Sequence, residues 1–141
     1  MVENNWRWCC NCQGLFFGGH QSTSVCPVGG KHDATQSWDF YLNHSGEKGQ
    51  DNWRWCIKCR GLFYAGHTTT GTCPARGGHD YNLSLNYSLK QYDGETGLHN
   101  WRWCQKCRGL FYAGFNNGFC PEGGAHDRGN SRDYSLVYTR R

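Results

Sequence analysis

At 141 residues the chain has room for one ordinary domain or a few very small ones. Its 20 glycines, 10 cysteines, 7 tryptophans and 8 tyrosines, beside few leucines, isoleucines or valines, exclude a conventional aliphatic core and call for staples of disulfide or metal. The formal charge of +4 is spread along the chain, with only Arg140–Arg141 as a cluster, which argues against a strong electrostatic footprint for nucleic acid.

The first residues, MVENNWRWCC, carry neither a basic n-region nor an apolar h-region. No signal peptide is expected there. No apolar run approaches the ~18 residues of a membrane span. Cytoplasmic residence or export by a non-classical route is the expectation.

Trp6-Arg7-Trp8 opens the first predicted element, and the same words return at Trp53 and Trp101, spaced by 47 and 48 residues. Each unit reads N-W-R-W-C-x-x-C-x-G-L-F, then a polar stretch, then C-P-x-G-G-(x)-H-D, then an aromatic residue and leucine two apart. The expected organisation is a single domain over 1–141, with repeats at 5–50, 51–98 and 99–141. Trp53-Arg54-Trp55 alternates as a strand, with both rings on one face. Leu62-Phe63-Tyr64 is predicted as the returning strand of a hairpin whose turn holds the cysteines. Later in the unit, Tyr81 to Leu89 alternates apolar and polar residues with period two and predicts a nine-residue strand. No segment shows a helical period. The chain is expected to be all-β.

The cysteines of each unit recur with one histidine in register. The sets are Cys9, Cys12, Cys26 and His32; Cys56, Cys59, Cys73 and His79; Cys104, Cys107, Cys120 and His126. Three thiolates and one imidazole are a standard structural set for tetrahedral zinc. Three structural zinc ions are therefore expected, with no open position for a catalytic water. Glycine after the second cysteine is expected to supply the unusual backbone angle of the C-x-x-C turn. Disulfides would leave an odd thiol in each unit and the histidine unexplained. A thioredoxin-like site needs a strand-to-helix setting that the sequence lacks. Cys10 occurs only in the first unit, where it could replace Cys9 or Cys12. Asp33, Asp80 and Asp127 have two candidate roles: accepting a proton from the ligand histidine, or capping a turn. The tryptophans are expected to wall the thiolates from water. Loading each site with three thiolates and one divalent ion adds about −1, which brings the formal +4 to about +1.

Three similar β units can close around a pseudo-threefold axis, as a β-trefoil or β-prism does, or hang as independent zinc-ribbon beads. The count of three, the short connectors and the several apolar faces per unit favour closure, with a trefoil-like form first. The motif WRWC-x-x-C-x-GLF followed by CP-x-GG-x-HD resembles a bacterial tandem repeat found beside secreted, toxin-like or lectin-like domains. That resemblance covers nearly the whole chain and implies a zinc-stabilised binding module with no catalytic residues. A multivalent, lectin-like reader of carbohydrate or a cell surface is the leading functional expectation. Candidate contacts are Arg7, Arg54 and Arg102 together with Phe17, Tyr64 and Tyr112, although internal packing is the competing role for all six. Nucleic-acid binding through Lys58, Arg60, Lys106 and Arg108 is the alternative. An enzyme is not expected, because no serine sits in a nucleophile elbow and the recurring histidines are spent on metal.

Overall fold

The structure is a computed structural model that describes residues 1–140. Among these, nine antiparallel strands form one nearly closed, barrel-like sheet. They are β1 (Val2–Trp8), β2 (Leu15–Phe17), β3 (Asp39–His44), β4 (Gln50–Trp55), β5 (Leu62–Tyr64), β6 (Tyr87–Gln91), β7 (Leu98–Trp103), β8 (Leu110–Tyr112) and β9 (Tyr134–Thr139). A 3-10 turn at Gly18–Thr23 belongs to the first repeat. No helix among the described residues is long and apolar enough to cross a membrane.

Each repeat contributes a hairpin and a third strand. In the second repeat the hairpin pairs Trp53 with Tyr64, Arg54 with Phe63 and Trp55 with Leu62. The first and third repeat the register. The third strands then pair cyclically: Asn43 faces Ser88, Lys90 faces Ser135, and Tyr41 faces Val137. The end of each strand thus lies antiparallel to the start of the next, and the ring closes. The far end closes through bridges between hairpins, Phe16 to Gly61, Phe63 to Gly109 and Gly14 to Phe111. Independent beads would have none of these pairings. The arrangement is a closed, threefold domain.

The recurring asparagine before each Trp-Arg-Trp has a backbone reason. Asn5, Asn52 and Asn100 have φ of 75°, 72° and 77°, the left-handed region that asparagine tolerates well. The register shifts there, between Glu3 and Trp6 and between their counterparts, and the next residues are turned onto the core.

The β5 strand shows how one short element serves two clusters. Leu62 faces the central core with Trp6, Trp53, Trp101, Phe40, Tyr87 and Tyr134, and Tyr64 packs against that core. Phe63, pointing the other way, joins Cys56, Cys59 and Cys73. The tryptophans are therefore not the wall around the thiolates. Trp6, Trp53 and Trp101 are each 0% exposed at the middle of the domain, where their large rings replace the missing aliphatics.

The predicted strand over Tyr81–Leu89 begins only at Tyr87. Residues 81–86 turn instead: Leu83 takes a φ of 70°, and the Ser84 N–H donates to the Tyr81 carbonyl at 3.0 Å. Ser84 earns its alternation differently, because its hydroxyl accepts the Trp55 N–H at 2.8 Å, as Ser37 and Ser131 do for Trp8 and Trp103.

Candidate metal centres and inter-repeat clefts

Two turns build each metal cluster. In the hairpin turn Cys56 N–H donates to Gly61 O at 2.9 Å and Arg60 N–H to Cys56 O at 2.8 Å. The left-handed angle falls one residue earlier than expected, on Gln13, Arg60 and Arg108, with φ of 71°, 73° and 70°. Gly14, Gly61 and Gly109 serve a different need. A Cβ on Gly61 would lie in van der Waals contact with Cys59 Sγ at 3.4 Å and with Leu15 O of the adjacent repeat at 3.7 Å, so the glycine lets the neighbouring hairpin come close. The second turn, Cys73 to Gly77, is closed by Cys73 N–H to Gly77 O at 2.8 Å and delivers the third thiol and the histidine.

All twelve expected ligands are buried, and within each of the three sets the ligand atoms lie within 4.8 Å of one another. Cys9 Sγ to Cys26 Sγ is 3.9 Å, and Cys12 Sγ to His32 Nδ1 is 3.6 Å. The second and third sets repeat these distances at 3.8 and 3.9 Å between sulfurs and 3.6 Å to nitrogen. A tetrahedron around zinc, with bonds of ~2.3 Å to sulfur and ~2.0–2.1 Å to nitrogen, has edges of about 3.6–3.8 Å. A disulfide would need sulfurs at about 2.05 Å. All ten cysteines are free thiols. The geometry fits three structural zinc ions, with Nδ1 as the imidazole ligand.

The electrostatics agree. Hydrogen bonds from the Cys12 and Cys26 thiols hold Cys9 far below the usual thiol range, whereas donating to Cys26 and Cys9, together with burial, keeps Cys12 well above it. Cys56 and Cys59 part in the same way, as do Cys104 and Cys107. Three thiolates this close cannot all ionise unless a cation joins them. Backbone amides prepare the charge: Asp33 N–H reaches Cys9 Sγ at 3.3 Å, and Asp80 and Asp127 N–H reach Cys56 and Cys104 Sγ at 3.4 Å.

Of their two expected roles, the aspartate side chains take the turn cap. Asp33 accepts from the Thr35 N–H and hydroxyl, Asp80 from Asn82 N–H at 2.9 Å, and Asp127 from Gly129 N–H at 3.0 Å. They are not the acceptors for the ligand histidines. That role belongs to the adjacent repeat: His79 Nε2 lies 3.1 Å from Cys107 O, and His126 Nε2 lies 3.2 Å from Cys12 O. His32 Nε2 is buried without a partner within bonding distance. Phe16, Phe63 and Phe111 each stack on a ligand histidine at 4.6 Å, and these phenylalanines cover the sites. Cys10 stands half-exposed outside the first cluster, its sulfur 3.8 Å from Asn11 Oδ1.

The other predicted contacts fall elsewhere. Arg7 and Arg102 bond to Asn5 and Asn100 and approach Asp39 and Asp133 at 3.7 Å. Arg54 lies over the Tyr81 ring. Phe17, Tyr64 and Tyr112 pack on Trp6, Trp53 and Trp101 at 5.3–5.5 Å. Phe17 and Tyr112 also line clefts, which lie between adjacent repeats. One, of about 210 Å³, joins Trp101, Tyr112, Phe115 and Leu98 of the third repeat to Trp8, Gln36, Trp38 and Phe40 of the first. Another, of about 170 Å³, joins Glu3, Phe17 and His20 of the first to Trp55, Leu83, Leu85 and Tyr87 of the second. The two are built from the same repeat positions. At the junction between the second and third repeats His67 stacks on Trp103 at 5.7 Å, as His20 packs on Trp55 at 5.6 Å and Phe115 on Trp8 at 5.5 Å.

Compared with known proteins, the chain matches no family model, no curated protein and no solved structure.

Proposed function

We propose that the protein is a zinc-stabilised, multivalent binding module that reads carbohydrate on a cell surface or polymer through its inter-repeat clefts. The observation that carries this reading is the recurrence of one aromatic cleft at successive junctions of a closed threefold domain. Aromatic walls stack on the C–H faces of sugar rings, and polar groups at the rim engage hydroxyls. Presenting similar weak sites several times on one rigid body multiplies modest affinities through avidity. Zinc holds the body and performs no chemistry on the ligand, since four protein donors close each ion. The motif's resemblance to repeats beside toxin-like domains supports a place in an insecticidal or antibacterial system, where such a module attaches its partner to the target cell.

Nucleic-acid binding has weaker support. The basic residues beside the second knuckle cysteines are occupied internally. Lys58 and Lys106 donate to the carbonyls of Arg76 and Gly123 at 2.5 and 2.7 Å. Arg60 and Arg108 lie over Trp55 and Trp103 at 5.0 and 5.2 Å from the ring centroids. A glycan array with a salt-titrated oligonucleotide control tests the choice. Saturable sugar binding indifferent to salt is expected. Binding only to oligonucleotide, falling steeply with salt, would replace this reading with the other.

A further inference from the structure

The three junctions share a framework but differ at one hydrogen bond. At the first, the indole N–H of buried Trp6 donates to Glu3 Oε1 at 3.0 Å, and the Tyr87 hydroxyl donates to the same oxygen at 2.6 Å. At the second, Trp53 donates to Gln50 Oε1 at 3.1 Å, with the Tyr134 hydroxyl at 2.5 Å. At the third, Leu98 stands where the other repeats have Glu3 and Gln50, and Phe40 stands where they have tyrosine. The ring packing survives: Phe40 meets Trp101 edge-on at 5.2 Å, as Tyr87 meets Trp6 at 5.2 Å and Tyr134 meets Trp53 at 5.3 Å. Only the polar atoms are gone. Trp101 is 0% exposed, and its Nε1 is buried with no hydrogen-bond partner.

A buried N–H left without a partner is destabilising, and the two sister repeats show that a one-residue remedy exists in this fold. Trp55 and Trp103 also have buried, unpaired Nε1 atoms, but their rings are only partly buried and lie under Arg60 and Arg108. Trp101 has no such cover. Trp101, Leu98 and Phe40 all line the 210 Å³ cleft between the third and first repeats.

We infer that this cleft is a ligand site in which the Trp101 indole N–H donates to a carbonyl oxygen of the ligand, and that the ligand is a neutral sugar ring bearing an N-acetyl group. The inference rests on the carbohydrate reading above and sharpens it. None of the lining side chains carries a charge, and the nearby Arg140 guanidinium is engaged over the Trp38 ring at 5.2 Å, so an uncharged ligand suits the lining. The volume is below the ~300–1,000 Å³ of drug-sized sites and suits a single ring. At the Trp101 end the walls are Leu98 and Phe40, which offer no acceptor. A hydroxyl bound there would satisfy the indole while stranding its own proton, whereas an acetamide carbonyl accepts without donating. Its methyl group then meets Leu98 and Phe40, and the ring lies against Trp8 and Trp38. Admitting the oxygen to the buried N–H requires half-buried Leu98 to turn aside at the rim.

Titration of the zinc-loaded, indole-15N-labelled protein tests the site. The probes are N-acetylglucosamine and N-acetylgalactosamine, with glucose and galactose as matched controls. The Trp101 indole resonance is expected to shift saturably with the acetylated sugars and not with the plain ones. Leu98→Gln supplies the internal acceptor used at Gln50, and it is expected to weaken that binding at least tenfold with zinc content and thermal midpoint retained. Leu98→Glu, which returns the acceptor found at Glu3, is a second route to the same block if the first variant misfolds. Sugar-induced shifts elsewhere with Trp101 silent would overturn this site and leave the carbohydrate reading standing. An equal response in Leu98→Gln or Leu98→Glu would also overturn it. No shift with any sugar would sink both.

Discussion

The two sides of each hairpin obey the threefold repeat to different degrees. On the metal side the copies share all four ligands, down to sulfur–nitrogen distances of 3.6 Å in all three sites, and differ in that His32 Nε2 lacks the carbonyl partner of His79 and His126. On the core side the same strands share their tryptophans but differ around them, with Glu3, Gln50 and Leu98 at one position and Phe40, Tyr87 and Tyr134 at another. Tetrahedral ligation needs all four donors in each copy, and small glycines stand where the three hairpins meet. The clefts form between repeats, where the fold needs a buried ring but not a particular polar neighbour. Uniformity marks what builds the domain, and divergence marks where binding can specialise.

Removing zinc tests the metal side and carries the largest expected effect. A structural zinc contributes an apparent ~10–16 kcal/mol in small metal-folded modules, as much as the ~5–15 kcal/mol of a typical domain's whole stability. A chelator should abolish near-ultraviolet circular dichroism, and retained tertiary signal would show that the aromatic core suffices alone. Next comes Gly118→Ala. Gly118 has a φ of 61°, and a Cβ there would sit 2.2 Å from the Cys12 carbonyl that also faces His126. The left-handed angle alone costs ~1–2 kcal/mol, so denaturant unfolding should show a loss above that, with looser zinc in a competition assay.

On the core side, Glu3→Leu would give the first junction the character of the third. It strands the Trp6 N–H and the Tyr87 hydroxyl, and a loss of about 1–3 kcal/mol is expected. No loss would mean that the indole bonds carry little weight, and Trp101 would cease to stand out. The smallest effect belongs to Arg60→Ala, which removes the guanidinium stacked on Trp55 and should cost about 0.5–1 kcal/mol.

The sequence made much of the metal side legible. Cysteine and histidine spacing repeated three times names twelve ligands, and period-two alternation locates the hairpins. What escaped it has physical causes. Asp33, Asp80 and Asp127 recur because their carboxylates cap turns, while it is their main-chain N–H groups that meet sulfur, so recurrence alone could not reveal which group faces the metal site. The acceptor for a ligand histidine is a carbonyl of another repeat, and every residue has a carbonyl. Tyr81–Leu85 alternates like a strand, but Asp80 and Ser84 bond locally and turn the chain first. The clefts join positions as far apart as Trp8 and Phe115, and only the ring closure brings them together. A signal was still present: the position three before each Trp-Arg-Trp tryptophan changes from Glu3 to Gln50 to Leu98 beneath an otherwise invariant motif.

X-ray absorption at the zinc edge, on protein purified with its native metal, tests the central claim most directly. Three closed sites per chain predict a uniform shell of three sulfurs near 2.3 Å and one nitrogen near 2.0–2.1 Å around every zinc. An oxygen in that shell, or zinc-free protein folded with its sulfurs bonded to one another, would contradict the account.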